Sequence, residues 1–256
     1  MGILTSGADI KNQIDIRSYK FHEKYDVIFH LAANASIPQS LNDPAESHSH
    51  NVWGTLKILE YARKIRAGVV FSSSSSVYGE PENFPTPESE PLKPKIPYAL
   101  QKIECEQYLW LYWQLYGVKS VALRYFNVFG EGQENANGGG DSSLCLANFI
   151  RQKKNGEPLT IVGTGEQRRD FIYVKDVVEA NLKAAEYLDK AEQFEVFNIG
   201  SAENYSINEV AEMVDPQGQR VFLPPRSEPL IGLANITKAK ELLKWEPIIK
   251  IKDWLR

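Results

Sequence analysis

Asp26 to Ala33 reads DVIFHLAA, an apolar run of strand length, and two more follow at Gly68 to Ser72 (GVVFS) and Val118 to Tyr125 (VKSVALRY). Strands exposed on one face alternate apolar and polar residues; unbroken apolar runs suit strands covered on both faces, as in a parallel sheet. The spacing predicts helices between them over Asn42 to Arg66 and Tyr98 to Tyr116, each long enough to be a crossover. Strand alternating with helix predicts a doubly wound α/β fold. Further on, Pro158 to Val162 and Phe194 to Ile199 read as short strands, and Val174 to Leu188, Ser206 to Val214 and Thr237 to Leu243 as helices. Ser206 with Glu209 has capping-box spacing, and Thr237 is the expected N-cap of the last helix. Gly130 to Ser143, rich in Gly, Asn and Asp, reads as a loop between lobes.

The bulk properties remove several classes of function. A length of 256 residues suffices for one large α/β domain, with or without a smaller lobe. A net charge of -4 gives no basic field of the kind a nucleic-acid partner requires. Neither a signal peptide nor a run of about 18 apolar residues is found, so no membrane association is expected. Cys105 and Cys145 stand outside any metal-ligand spacing. They read as buried thiols of a cytoplasmic protein, with no metal.

Two features carry chemistry. Ser72 to Ser76 follow the GVVF strand, where an open α/β sheet presents its ligands, although a serine run at a strand end is also what an ordinary polar turn looks like. Tyr98 and Lys102 stand four apart in PYALQK, on one face of a helix that Pro97 opens. A phenol ordinarily titrates near 10, so acting as a base at neutral pH requires roughly 4 kcal/mol of phenolate stabilisation. An ammonium about 4 Å away at an effective dielectric of 20 supplies roughly that.

SSSSSVYGEP, then PYALQK with Tyr98 24 residues after Ser74, then LRYFNVFG, RRDFIYVKDVV and FNIGSAENYSINEVAEMV come in the order of the nucleotide-sugar epimerases and dehydratases of the extended short-chain dehydrogenase/reductase superfamily, which this chain resembles from about Asp15 to Trp254. The resemblance implies a Rossmann-like parallel sheet with a smaller C-terminal substrate lobe. It divides the chain into a cofactor domain over 1–130 and 167–202 and a substrate-binding lobe over 131–166 and 203–256.

The implied activity is NAD-dependent epimerisation of a nucleotide sugar, at C4 of a UDP-hexose. Ser74 would hydrogen-bond the sugar hydroxyl, Tyr98 would exchange its proton, and Lys102 would bind the nicotinamide ribose. Hydride would pass to NAD and return to the other face of a transient keto sugar. Asp15 and Ile16 would contact adenine, Leu31, Ala32 and Ala33 would line the cofactor, and Asn51 and Phe126 would help hold it. Asn127, Arg169 and Arg226 would face the diphosphate, where a guanidinium fork suits phosphate oxygens. Related dehydratases carry Thr-Asp-Glu in place of the serine run, so the absence of those carboxylates favours epimerisation over dehydration or reduction.

The family pattern opens with a strand, a GxxGxxG turn, a helix and a second strand, and this sequence contains none of them, so an N-terminally truncated cofactor domain is expected. Without the strand that usually lies beside it, the 26–33 run becomes a sheet edge, expected to be covered by Gly2 to Thr5 or by another chain. The missing glycine turn keeps open a nucleotide-sugar-binding protein, or an inactive enzyme, without cofactor. A homodimer through helices 42–66 and 98–116 is also implied.

Overall fold

The structure is a computed structural model that describes residues 15–133, 145–225 and 228–256. Its elements are β1 (Val27–His30), α1 (Ile37–Asn42), α2 (Pro44–His48), α3 (Gly54–Ile65), β2 (Gly68–Ser74), α4 (Pro97–Tyr116), β3 (Ser120–Tyr125) and β4 (Asn127–Phe129), then α5 (Cys145–Asn155), β5 (Leu159–Val162), β6 (Arg168–Tyr173), α6 (Val174–Leu188), β7 (Glu195–Ile199), β8 (Asn204–Ser206), α7 (Ile207–Val214), β9 (Arg220–Leu223) and α8 (Ile251–Trp254). The main sheet is parallel, in the order β1-β2-β3-β7.

Alternation along the central strands sets the two faces. Val69, Phe71 and Ala122 pack on Leu59 and Ala62 of α3 and Cys105 and Leu109 of α4. Val70, Val121 and Leu123 pack on Val177, Ala180 and Ala184 of α6. Both faces are therefore buried, as the apolar runs require. A separate core joins Phe149 of α5, Leu159 and Ile161 of β5, Phe171 of β6 and Val210 of α7 into a second lobe. The division differs from the expected one at the C-terminus, because Ala234, Ile236, Ala239, Leu243 and Trp245 pack into the main core. Trp245 Nε1 also donates to the Asp176 carbonyl of α6 at 2.9 Å.

The helix expected over 42–66 is divided. Asp43 caps α2, whose first residue is Pro44, a residue suited to N1 because it has no N–H to leave unpaired. A π-helical turn, Ser49–Trp53, then joins α2 to α3. Ser206 and Glu209 form the expected reciprocal capping box of α7. The helix expected over Thr237 to Leu243 is π-helical over Ala239–Leu243, and ahead of it the accepting side chain is Asn235, which takes the Thr237 N–H at 3.0 Å, so Thr237 is not the cap. Among the described residues β1 pairs with β2 alone and Phe29 is 41% exposed. The segment Gly2 to Thr5 lies outside the described residues, as does most of the 130–143 loop.

Candidate active site

Pro97 starts α4 at the open end of β2, and the helix carries Tyr98 and Lys102 back along the sheet. Lys102 is 2% exposed and its Nζ donates to the Ser72 carbonyl at 2.6 Å. The same ammonium lies 4.7 Å from the Phe71 ring centroid and 5.7 Å from that of Tyr98, within cation–π range of both. Burial pushes its pKa down to about 8, while Cys105 and Glu106 work the other way. An ammonium has three donors, and Ser72 takes one of them.

The serine run is divided by the strand's alternation. Ser74, the last residue of β2, is half-buried and accepts the Ser76 N–H at 3.2 Å, capping a short 3-10 turn over Ser75–Tyr78. Ser73 points to the opposite face and donates to Glu106 Oε1 at 2.5 Å. Ser74 ends β2 and Tyr98 opens α4 just after Pro97, both at the carboxyl edge of the sheet, the position that open α/β sheets give to ligands.

Leu31, Ala32 and Ala33 leave β1 at the same edge of the sheet and are exposed, Leu31 by 57%. Asn51 lies in the π-helical turn, where widened turns are common at functional sites. It is 3% exposed and donates to Gln101 Oε1 of α4 at 2.7 Å and to the Asn34 carbonyl at 3.0 Å. Its reach is to the protein's own loop and helix. Exposed apolar surface along 31–33 and a lysine with donors to spare fit the nicotinamide end of a dinucleotide.

Other expected contacts are occupied by the protein. The Asp15 carboxylate is bound by Arg17 through Nε at 2.9 Å and Nη2 at 2.6 Å, and this hydrogen bonding holds its pKa below the usual carboxylate range. Ile16 packs against Gly54, where an added Cβ would lie 3.0 Å from Ile16 Cδ1. The Phe126 side chain is buried in the main core. Asn127 Nδ2 donates to the Asp170 carbonyl at 3.0 Å.

Arg169, expected to face a diphosphate, is 8% exposed. It donates to the carbonyls of Arg168 at 2.9 Å and Pro229 at 2.7 Å and pairs with Glu228 at 2.7 Å. Its role in this structure is to clamp the 228–229 loop. Arg226, two residues before Glu228, lies outside the described residues.

Sequence reasoning missed the groups beneath the site. Asp170 is fully buried and receives N–H bonds from Ser201 at 2.6 Å, Ala202 at 3.1 Å and Ala234 at 3.0 Å, joining the end of β7 to the C-terminal segment. Burial pushes its pKa up to about 6. Arg124 and Glu106 form a buried ion pair at 2.7 Å, and Arg124 also donates to the Tyr78 hydroxyl at 2.9 Å. An arginine inside the apolar strand VALRYF was the legible signal, since a buried charge requires a partner. Which residue supplied that partner was not legible.

A buried lysine lies beside a tyrosine at the carboxyl edge of a parallel sheet, the arrangement expected from the resemblance to the short-chain dehydrogenases/reductases. The model of the NAD dependent epimerase/dehydratase family matches residues 5–200, and the chain belongs to that family. It is 34% identical over 256 residues to a UDP-glucose 4-epimerase of Lacticaseibacillus casei, covering 92% of this chain and 77% of the relative. The structure of a UDP-glucose 4-epimerase from Thermotoga maritima with UDP-glucose superposes with a TM-score of 0.83 at 36% identity, covering 90% of this chain and 74% of that one. A Thermus thermophilus UDP-glucose 4-epimerase in complex with NAD superposes with a TM-score of 0.81 at 30% identity, covering 90% and 75%.

Proposed function

We propose that this protein is a nucleotide-sugar epimerase that uses NAD and acts at C4 of a UDP-hexose. The observation that carries the reading is the buried Lys102 ammonium, held by the Ser72 carbonyl at 2.6 Å, beside Tyr98 at the end of the strand that carries Ser74. Relatives that are UDP-glucose 4-epimerases support the substrate class. NAD, when bound, supplies the hydride acceptor for such chemistry.

The residues then divide the work. Tyr98 takes the proton of the sugar hydroxyl and returns it, and the positive charge of Lys102 favours its phenolate form. Ser74 orients that hydroxyl, and the remaining Lys102 donors hold a ribose. Arg169 clamps the 228–229 loop, and Arg226, which lies outside the described residues, is assigned to the diphosphate by its place in the sequence motif alone. The strand end bears serines where elimination of water would need a carboxylic acid, which favours epimerisation over dehydration.

A homodimer is part of this reading. The surface formed by the π-helical turn, α3 and α4 carries a groove of about 500 Å³ lined by Val52, Trp53, Leu56, Tyr108 and Leu111 together with His48, Glu104 and Gln107, and Trp53 is 49% exposed. Apolar surface of this kind marks an association site; a monomer mass by light scattering would reject it. The buried Cys105 and Cys145 fit a cytoplasmic setting.

The test is interconversion of UDP-glucose and UDP-galactose by protein whose NAD content has been assayed after denaturation. Turnover that falls at least about 100-fold in Tyr98→Phe, with UDP-sugar binding retained, is expected. Failure of NAD-loaded protein to interconvert any UDP-hexose would overturn the reading.

A further inference from the structure

Glu106 is on α4 one turn beyond Lys102, is 5% exposed, and has no part in the roles assigned so far. Its carboxylate receives three donors: Ser73 Oγ at 2.5 Å, Arg124 Nε at 3.0 Å and Arg124 Nη2 at 2.7 Å. Ser73 and Arg124 are register partners on β2 and β3, and strand alternation turns both toward α4. Ser73 lies between Ser72, whose carbonyl takes the Lys102 ammonium, and Ser74. The end of β2 is therefore tied to α4 at two consecutive residues, by two side chains one helical turn apart.

Stability alone is a poor reason for this arrangement, because a buried ion pair recovers little more than its desolvation cost and apolar packing of equal volume does as well. What the pair fixes is register. We propose that Glu106 is a positioning residue, which through Ser73 holds the strand end carrying Ser74 in place against the helix carrying Tyr98 and Lys102. The proposal rests on the reading of Ser74, Tyr98 and Lys102 as the working group of an epimerase.

A second consequence is electrostatic. The titratable and charged groups around Lys102 are Tyr98, Cys105 and Glu106 on its own helix, His30 from β1, and Arg124 from β3 behind Glu106. Burial holds Cys105 as a neutral thiol up to about 11 and His30 as a neutral imidazole. Glu106 is then the carboxylate that opposes loss of the Lys102 proton, and without it the unpaired Arg124 guanidinium promotes that loss.

Two measurements on NAD-loaded protein test the proposal. Ser73→Ala should lower kcat for UDP-glucose about tenfold with KM within twofold of wild type. A role limited to stability would lower the melting temperature and leave kcat within twofold, which would overturn the proposal. Glu106→Gln should lower the titration midpoint of Lys102 by at least half a pH unit, read by NMR of ε-carbon-labelled lysine and assigned by loss of the signal in Lys102→Arg. Glu106→Asp, which keeps the charge, should return the midpoint toward wild type. An unmoved midpoint in Glu106→Gln overturns the proposal. If the Gln variant does not fold, the Ser73→Ala kinetics decide. If the wild type epimerises no UDP-sugar, the functional reading fails, and the lysine titration still decides the part played by Glu106.

Discussion

Asn51 grips Asn34 by both ends of its carboxamide: Oδ1 accepts the Asn34 N–H at 2.7 Å and Nδ2 donates to the Asn34 carbonyl at 3.0 Å. The same Nδ2 reaches Gln101, one residue before Lys102. One buried side chain thus ties the loop that follows β1 to the helix that carries the tyrosine and lysine.

Replacing Asn51 by Leu should therefore act on the cofactor edge as well as on stability. Buried donors and acceptors left without partners cost about 1–3 kcal/mol each. The expected result is a lower melting temperature together with NAD affinity weakened by about tenfold or more, measured by calorimetric titration. Full NAD affinity in a destabilised variant would show that the clamp serves packing alone.

His30 predicts an acid weakness with a definite sign. Burial pushes its pKa from 6.5 down to about 3, and its Nε2 lies 2.9 Å from Thr55 Oγ1. The unfolded chain takes up a proton below 6.5 and the folded imidazole does not, so stability is lost as pH falls from 6.5 toward 3. The loss is about 2 kcal/mol at pH 5. Asp170 works in the opposite sense: raised from 3.8 to about 6, it adds stability as pH falls through that interval. Urea denaturation of wild type and His30→Gln at pH 7 and pH 5 separates the two, because only the His30 contribution should vanish in the variant. Equal pH dependence in both proteins would reject the assignment.

Glu228 should act on substrate affinity. It anchors the loop just after Arg226 through the 2.7 Å pair with Arg169, and both side chains are nearly buried. Glu228→Gln keeps the shape and removes the charge, so KM for the nucleotide sugar should rise about tenfold with kcat within threefold. A fall in kcat at unchanged KM would place the loop's influence on the reacting carbon instead.

The main sheet was legible in the chain because its central strands are buried on both faces and read as apolar runs, GVVFS becoming part of Gly68–Ser74; DVIFHLAA, which contains Val27–His30, reads the same way although Phe29 is exposed. Helix Val174–Leu188 was legible to the residue. The pair Tyr98 and Lys102 was legible too, since a spacing of four on a helix that begins at a proline is a local fact.

Arg168–Tyr173 went unread as a strand because it opens with Arg168, Arg169 and Asp170, charges that local reasoning assigns to a loop. Tertiary structure makes them strand residues by supplying distant partners: Asn204 for Arg168, Glu228 for Arg169, and the N–H groups of Ser201, Ala202 and Ala234 for Asp170. The break in the 42–66 helix and the π-helical turn that aims Asn51 at Asn34 are of the same kind, as is the use of Ser73 by Glu106 from across the sheet. Periodicity and spacing report what neighbouring residues prefer. A buried polar group is decided by whichever distant donor or acceptor the fold brings to it, because only that partner offsets the loss of water.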